Sequence, residues 1–198
     1  MKRSQYLLLL FAMCTSSVAA QFTRAEKSQV FVASHWPVGC AKAYIIDFSC
    51  LKPHEWAFPM QHSRVISPFG GRRRHKGVDI KGRPADTIRA CFDGTVRFAG
   101  TASGYGRVVV VSHPAGFETL YAHNCKHLVE CGSYVKAGQP LAIVGRTGRA
   151  STEHCHFEIR IQRRPLNPMS FFNAQTGQLI SQKVIVRQKG PMRFIPVK

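Results

Sequence analysis

Alternating apolar and polar positions, rather than a 3.6-residue period, run through the middle of this chain. Residues 106–112 contain four consecutive valines, and residues 117–122 alternate; both read as strands. Residues 87–92 and 95–99 are β-prone runs separated by Asp93-Gly94, a dipeptide favoured in two-residue turns, and are expected to pair as a hairpin. Weaker strands are expected around Gly138 within residues 134–144. Residues 154–161, His-Cys-His-Phe-Glu-Ile-Arg-Ile, supply a last strand. No segment carries a helical period, so the expectation is a mainly β, largely antiparallel domain over residues 61–172. Residues 21–60 contain Trp36 and Trp56 without a clean period and are expected to be an extension packed on that domain. Residues 173–198 read as a basic tail, and no internal repeat is found.

The start of the chain has a different character. Lys2 and Arg3 precede an apolar run over residues 6–13, and Val18 and Ala20 occupy the −3 and −1 positions of an expected cut before Gln21. This is the pattern of a secretory signal peptide over residues 1–20, too short for a stable bilayer span. Met13 precedes Cys14 where a lipoprotein signal needs a small residue, so lipid anchoring is not expected. The expected location is periplasmic or extracellular, without stable membrane insertion.

The chain has 198 residues, 44% of them hydrophobic, which suffices for one domain with a real core. Lys and Arg number 28 against 10 Asp and Glu, a net charge of +18. Such an excess suits nucleic acid, an anionic membrane or an acidic wall polymer. Export argues against nucleic acid. The 17 basic and 7 acidic residues over 61–172 concentrate the excess in the β domain.

Removal of residues 1–20 leaves six cysteines, and an oxidising compartment permits disulfides. Cys125 with Cys131 is the expected bridge, then Cys40 with Cys50. A zinc ribbon is disfavoured because no Cys-x-x-Cys occurs.

The candidate chemistry lies in histidines. On a strand, His154 and His156 share one face about 7 Å apart, while Cys155, Phe157 and Ile159 point to the core. His75 and Asp79 lie four apart around Gly77, in a segment whose Gly77, Val78 and Ile80 disfavour a helix. An even separation puts both on one face of an extended chain, and Gly77 allows a bend. Imidazole and carboxylate are both good zinc ligands. His123 ends the strand over 117–122, His113 is read as structural, and His35, His54, His62 and His127 are read as surface.

In order, the chain runs Ser67-Pro68-Phe69-Gly70-Gly71, His75-x3-Asp79, Asp93-Gly94-Thr95-Val96 and Gly104-Tyr105-Gly106. Thr119-Leu120-Tyr121-Ala122-His123, Gly132-x-x-Val135-x-x-Gly138-Gln139, Gly145-x-Thr147-Gly148 and His154-x-His156-Phe157-Glu158 follow. This succession resembles the lysostaphin/LytM-type zinc endopeptidases of bacterial cell walls, over residues 67–168. The resemblance implies a compact antiparallel β-sheet fold, the duplicated hybrid motif type, with one zinc ion in a groove. It implies His75, Asp79 and His156 as zinc ligands and His123 and His154 as catalytic histidines. The substrate implied is peptidoglycan, cut within its stem peptides or crosslinks. Some relatives act only as activators of other wall hydrolases, so a silent peptidoglycan-binding regulator is the alternative. Three protein ligands leave a position for water, as in catalytic zinc sites.

Two departures stand out. Family members often read Ser-Thr-Gly-Pro where this chain has Ala150-Ser151-Thr152-Glu153, and no Tyr occurs over residues 69–74, where lysostaphin-like enzymes carry one. Arg72, Arg73 and Arg74 are a candidate clamp for substrate carboxylates.

Overall fold

The computed structural model of the chain describes residues 43–61, 63–71 and 74–197. The signal segment, Cys14, His35, Trp36, Cys40, His62, Arg72 and Arg73 therefore lie outside the described residues. Among the described residues there are fourteen strands: β1 (Ala43–Asp47), β2 (Val65–Ser67), β3 (Val78–Lys81), β4 (Thr87–Arg89), β5 (Gly94–Ala102), β6 (Gly106–Ser112), β7 (Phe117–Asn124), β8 (Lys126–His127), β9 (Tyr134–Val135), β10 (Pro140–Ile143), β11 (His154–Ile161), β12 (Arg164–Leu166), β13 (Gln182–Arg187) and β14 (Arg193–Pro196). The described residues contain no α-helix, only two 3-10 turns at Pro114–Gly116 and Pro168–Ser170. The mainly β, antiparallel expectation is met.

The central sheet runs β2-β3-β11-β7-β6-β5-β9, with β12 added to β11. Its strands are stitched by side-chain alternation. On β11, Cys155, Phe157, Ile159 and Ile161 enter the main core with Val109, Val111 and Tyr121. The opposite face carries a smaller cluster of Phe98, Val108, Val110, Leu120 and Ala122. β6 is therefore apolar on both faces, which is why four valines follow one another there. The main core is closed by aromatic edges: Phe48 meets Phe117 and Phe171 edge-on at 5.4 and 5.2 Å. Residues flanking the domain join in, since β1 pairs with β13 and β13 with β14 in a separate three-stranded sheet.

The hairpin expected at Asp93-Gly94 does not form. β4 pairs with β10 in a small sheet, while β5 pairs with β6 and β9. Asp93 has other work: its carboxylate accepts from Ala137 N–H, Lys136 Nζ and Tyr134 Oη, and its carbonyl accepts from His113. Gly94 is required by close approach, because a Cβ there would lie 2.5 Å from Ser112 O.

The expected Cys125–Cys131 bridge is likewise absent; both are free, exposed thiols. The intervening segment pulls its ends to different strands. Cys125 N–H binds Ile143 O on β10, whereas Cys131 Sγ donates to Arg97 O on β5 at 3.1 Å. Cys50 has no disulfide partner among the described residues, and its expected partner Cys40 lies outside them. No helix among the described residues is long and apolar enough to cross a membrane.

Candidate metal centre and its supporting network

The β3–β11 register sets Asp79 directly opposite His156. Val78 and Ile80 are buried in the core, so Asp79 points to the other face, the face that His154 and His156 share. His75 precedes β3, held by a two-way backbone bridge to Gly70. Gly77, expected to supply a bend, has another reason. A Cβ there would stand 2.2 Å from Phe157 O, so only glycine lets this segment lie against β11.

Three donor atoms converge. Asp79 Oδ1 is 2.9 Å from His156 Nδ1 and 3.2 Å from His75 Nε2, and the two ring nitrogens are 3.0 Å apart. The protons are placed elsewhere: His75 Nδ1 donates to Pro68 O at 2.9 Å, and His156 Nε2 faces Glu158 Oε1 at 3.0 Å. An ionised carboxylate and a carbonyl only accept, so His75 Nε2 and His156 Nδ1 turn lone pairs towards Asp79. Three lone pairs at this range repel unless a cation or a proton lies between them. Tetrahedral zinc, with bonds of about 2.0–2.2 Å, needs donor separations of about 3.3–3.5 Å. The corner meets that with a shift of a few tenths of an ångström, and its donor set fits zinc.

The electrostatics of the corner carry the same demand for positive charge. Burial disfavours the Asp79 carboxylate, but His156 and His75 overcome this and hold it well below the usual range. Burial likewise lowers His156, yet Asp79 and Glu158 prevail and raise it to about 8. His75 is raised, chiefly by Asp79.

His154 and His123 flank this corner. His154 Nε2 is 3.7 Å from Asp79 Oδ1, and its Nδ1 donates to Thr152 O at 2.7 Å. His123 Nδ1 donates to Thr147 O at 2.7 Å, and its ring centre lies 4.8 Å from that of His154 and 5.8 Å from that of His156. Strand parity alone would send His123 the other way. Tyr121, two residues earlier, stacks on Phe157 in the core. The β6–β7 register slips between Val109 and Arg107, and His123 takes φ +66°. This bulge turns its ring to the site face, a strained backbone of the kind that clusters at functional sites. Burial pushes the His123 pKa down to about 4, so the ring is neutral at pH 7.

Behind His156 lies a network that sequence reading did not assign. Glu158 is fully buried. Its Oε1 accepts from His156 Nε2 and from Tyr105 Oη at 2.7 Å, while its Oε2 accepts from Arg160 Nε at 2.6 Å. Arg160 also reaches Tyr105 Oη at 3.2 Å. Burial opposes ionisation of Glu158, but His156 and Arg160 hold its carboxyl well below the usual range. The signal was available: His154, His156, Glu158 and Arg160 alternate on one face of a single strand. Tyr105 brings its ring within 5.6 Å of His156. It arrives from another strand connection than residues 69–74, where no Tyr stands, and its hydroxyl is committed to Glu158.

The remaining histidines divide. His113 is buried and structural, between Asp93 O and Thr119 Oγ1. His54 is exposed, as read. His127, read as surface, is half-buried on β8, and its Nε2 has no hydrogen-bond partner among the described residues.

Comparison with known proteins supplies the context. Residues 73–168 match Peptidase family M23. The chain is 38% identical over 120 residues to the DD-carboxypeptidase/endopeptidase Mpg of Neisseria meningitidis, covering 57% of this chain and 28% of that protein. It is 40% identical over 118 residues to the murein hydrolase activator NlpD of Escherichia coli, covering 59% and 31%. It thus spans under a third of these two curated relatives. Among solved structures it resembles the antimicrobial peptidase lysostaphin from Staphylococcus simulans, at TM-score 0.57, with 25% identity over 64% of this chain and 57% of that one. The sheet, the ordered motifs and these matches agree: residues 73–168 are similar to the M23 peptidases, the lysostaphin/LytM-type family.

Proposed function

We propose that this chain is an exported zinc-dependent endopeptidase that hydrolyses peptide bonds in peptidoglycan stem peptides or crosslinks. The observation that carries the reading is the convergence of His75 Nε2, Asp79 Oδ1 and His156 Nδ1 beside two further histidines. His75, Asp79 and His156 would hold the ion. Zinc bound there supplies Lewis acidity, lowering the pKa of water to about 7 and polarising a carbonyl.

The two flanking histidines then have separable tasks. Each has Nδ1–H committed to a backbone carbonyl, which leaves Nε2 of each ring facing the site. His154, nearer to Asp79, takes the proton of the attacking water at Nε2 and passes it to the leaving amine. His123, which burial holds neutral at pH 7, orients that water by accepting its other hydrogen. Glu158 keeps the His156 proton on Nε2, and Arg160 keeps Glu158 charged. The net positive charge aids docking on an acidic wall polymer.

Similarity to the murein hydrolase activator NlpD supports a second reading, a regulator that binds peptidoglycan without cutting it. All five site positions are filled here, which favours activity. Purified sacculi incubated with the chain, with and without chelator, separate the two by mass analysis of released fragments. Chelator-sensitive fragment release supports the hydrolase. Binding without release, with zinc present, supports the regulator.

A further inference from the structure

On the same strand as the metal corner, a cleft of about 230 Å³ is lined by Lys76, Glu118, Arg160, Arg163 and Pro165. Glu118, its one acidic group, is buried and receives Arg97 Nε at 2.7 Å. Arg160 gives its Nε to Glu158. Lys76 and Arg163 differ. Both are exposed, and neither side chain joins a hydrogen bond or ion pair among the described residues.

The backbone at Arg163 is unusual. Ile161 pairs with Arg164, so Gln162 and Arg163 form a two-residue hairpin turn between β11 and β12. Both take positive φ, +49° and +65°, where Asn-Gly is the favoured pair. Gln162 has a structural reason to be there, since its side chain donates to Tyr44 Oη and its N–H to Gly116 O, each at 3.0 Å. Arg163 has none. A left-handed arginine that anchors nothing among the described residues and lines a cleft points to a ligand.

We propose that this cleft is a carboxylate subsite, in which Arg163 and Lys76 hold a free carboxylate of a peptide substrate. The proposal rests on the hydrolase reading and narrows its substrate class. Lys76 adjoins His75, and Arg160 lies four residues along β11 from His156, about 13 Å. A carboxylate bound there belongs three to four residues from the bond being cut.

The test is an NMR titration of the isotope-labelled full chain, without added metal. Acetyl-Ala-Glu-Ala-amide is the probe and acetyl-Ala-Gln-Ala-amide the control. Expected are shifts centred on residues 76–77 and 160–165, with the Glu peptide bound about tenfold more tightly, as a charge-assisted pair requires. The Lys76→Glu, Arg163→Glu double variant loses that preference. Arg163→Gly, which suits the second turn position, raises the unfolding midpoint while weakening the Glu peptide. Equal binding of the two peptides, shifts centred elsewhere, or a preference retained in the double variant overturns the proposal. The titration involves neither metal nor a scissile bond, so its failure leaves the hydrolase reading standing. A positive titration beside intact sacculi would remove the hydrolase and keep the subsite.

Discussion

Asp79 stands opposite His156 across the β3–β11 ladder, its Oδ1 2.9 Å from His156 Nδ1. A rigid cross-strand pair, rather than a loop, thus fixes two of the three proposed ligands. Replacing either side chain should remove the corner while leaving the core, which lies on the other face. His156→Ala is expected to purify without stoichiometric zinc and with near-native circular dichroism. Elemental analysis showing one zinc per variant chain would refute the assignment.

Glu158 links that corner to the interior. Glu158→Gln should weaken zinc binding about 10–100-fold, the usual effect of losing a carboxylate behind a ligating histidine. It should also destabilise the fold by about 3–5 kcal/mol, because the buried Arg160 guanidinium loses the carboxylate that receives its Nε. Adding Arg160→Met should recover stability but not metal affinity. A competitive zinc titration read beside urea unfolding separates the two effects, and recovery of both by the double variant would contradict the positioning role.

His123 and His154 touch no proposed ligand closely enough to be needed for metal binding. Alanine at either position should keep one zinc per chain and lose about 10²–10⁴-fold in hydrolysis, the range for removing a general acid–base group. Loss of zinc in either variant would move that residue into the ligand set.

His113 gives the fold an acid sensitivity independent of the site. Burial against Phe92 and Phe117 outweighs the hydrogen bond to Asp93 O and depresses its pKa to about 4, against about 6.5 unfolded. The unfolded chain therefore binds the proton first, and stability present above pH 6.5 drains away as pH falls towards 4. Between pH 7.5 and 4.5 this one group should remove about 2–3 kcal/mol. His113→Gln should lose less over the same interval in chemical denaturation; an identical loss would show that other groups dominate.

Gly77→Ala places a Cβ 2.2 Å from Phe157 O. A destabilisation of about 1–3 kcal/mol is expected from such overpacking, with weakened zinc binding because β3 must draw back. Unfolding midpoint and zinc affinity should fall together.

How much of this was legible in the sequence depended on how local each signal was. Parity along one strand places His154 and His156 on one face and Cys155 in the core, and β11 runs over the expected residues. The same parity fails at His123, because a bulge reverses the side to which it points. Asp93-Gly94 reads as a hairpin turn, but Asp93 is consumed by partners more than 40 residues away at Lys136 and Ala137. The nearness of Cys125 and Cys131 in sequence likewise gave way to long-range strand pairing. Glu158 and Arg160 were visible as residues, but their roles needed Tyr105 and the buried space between them.

The most direct measurement is fragment release from purified sacculi by the zinc-loaded chain, run beside zinc-loaded His154→Ala. The account predicts soluble peptide fragments from the first and almost none from the second, at equal zinc content. No release from the zinc-loaded chain, or equal release from both, would contradict it.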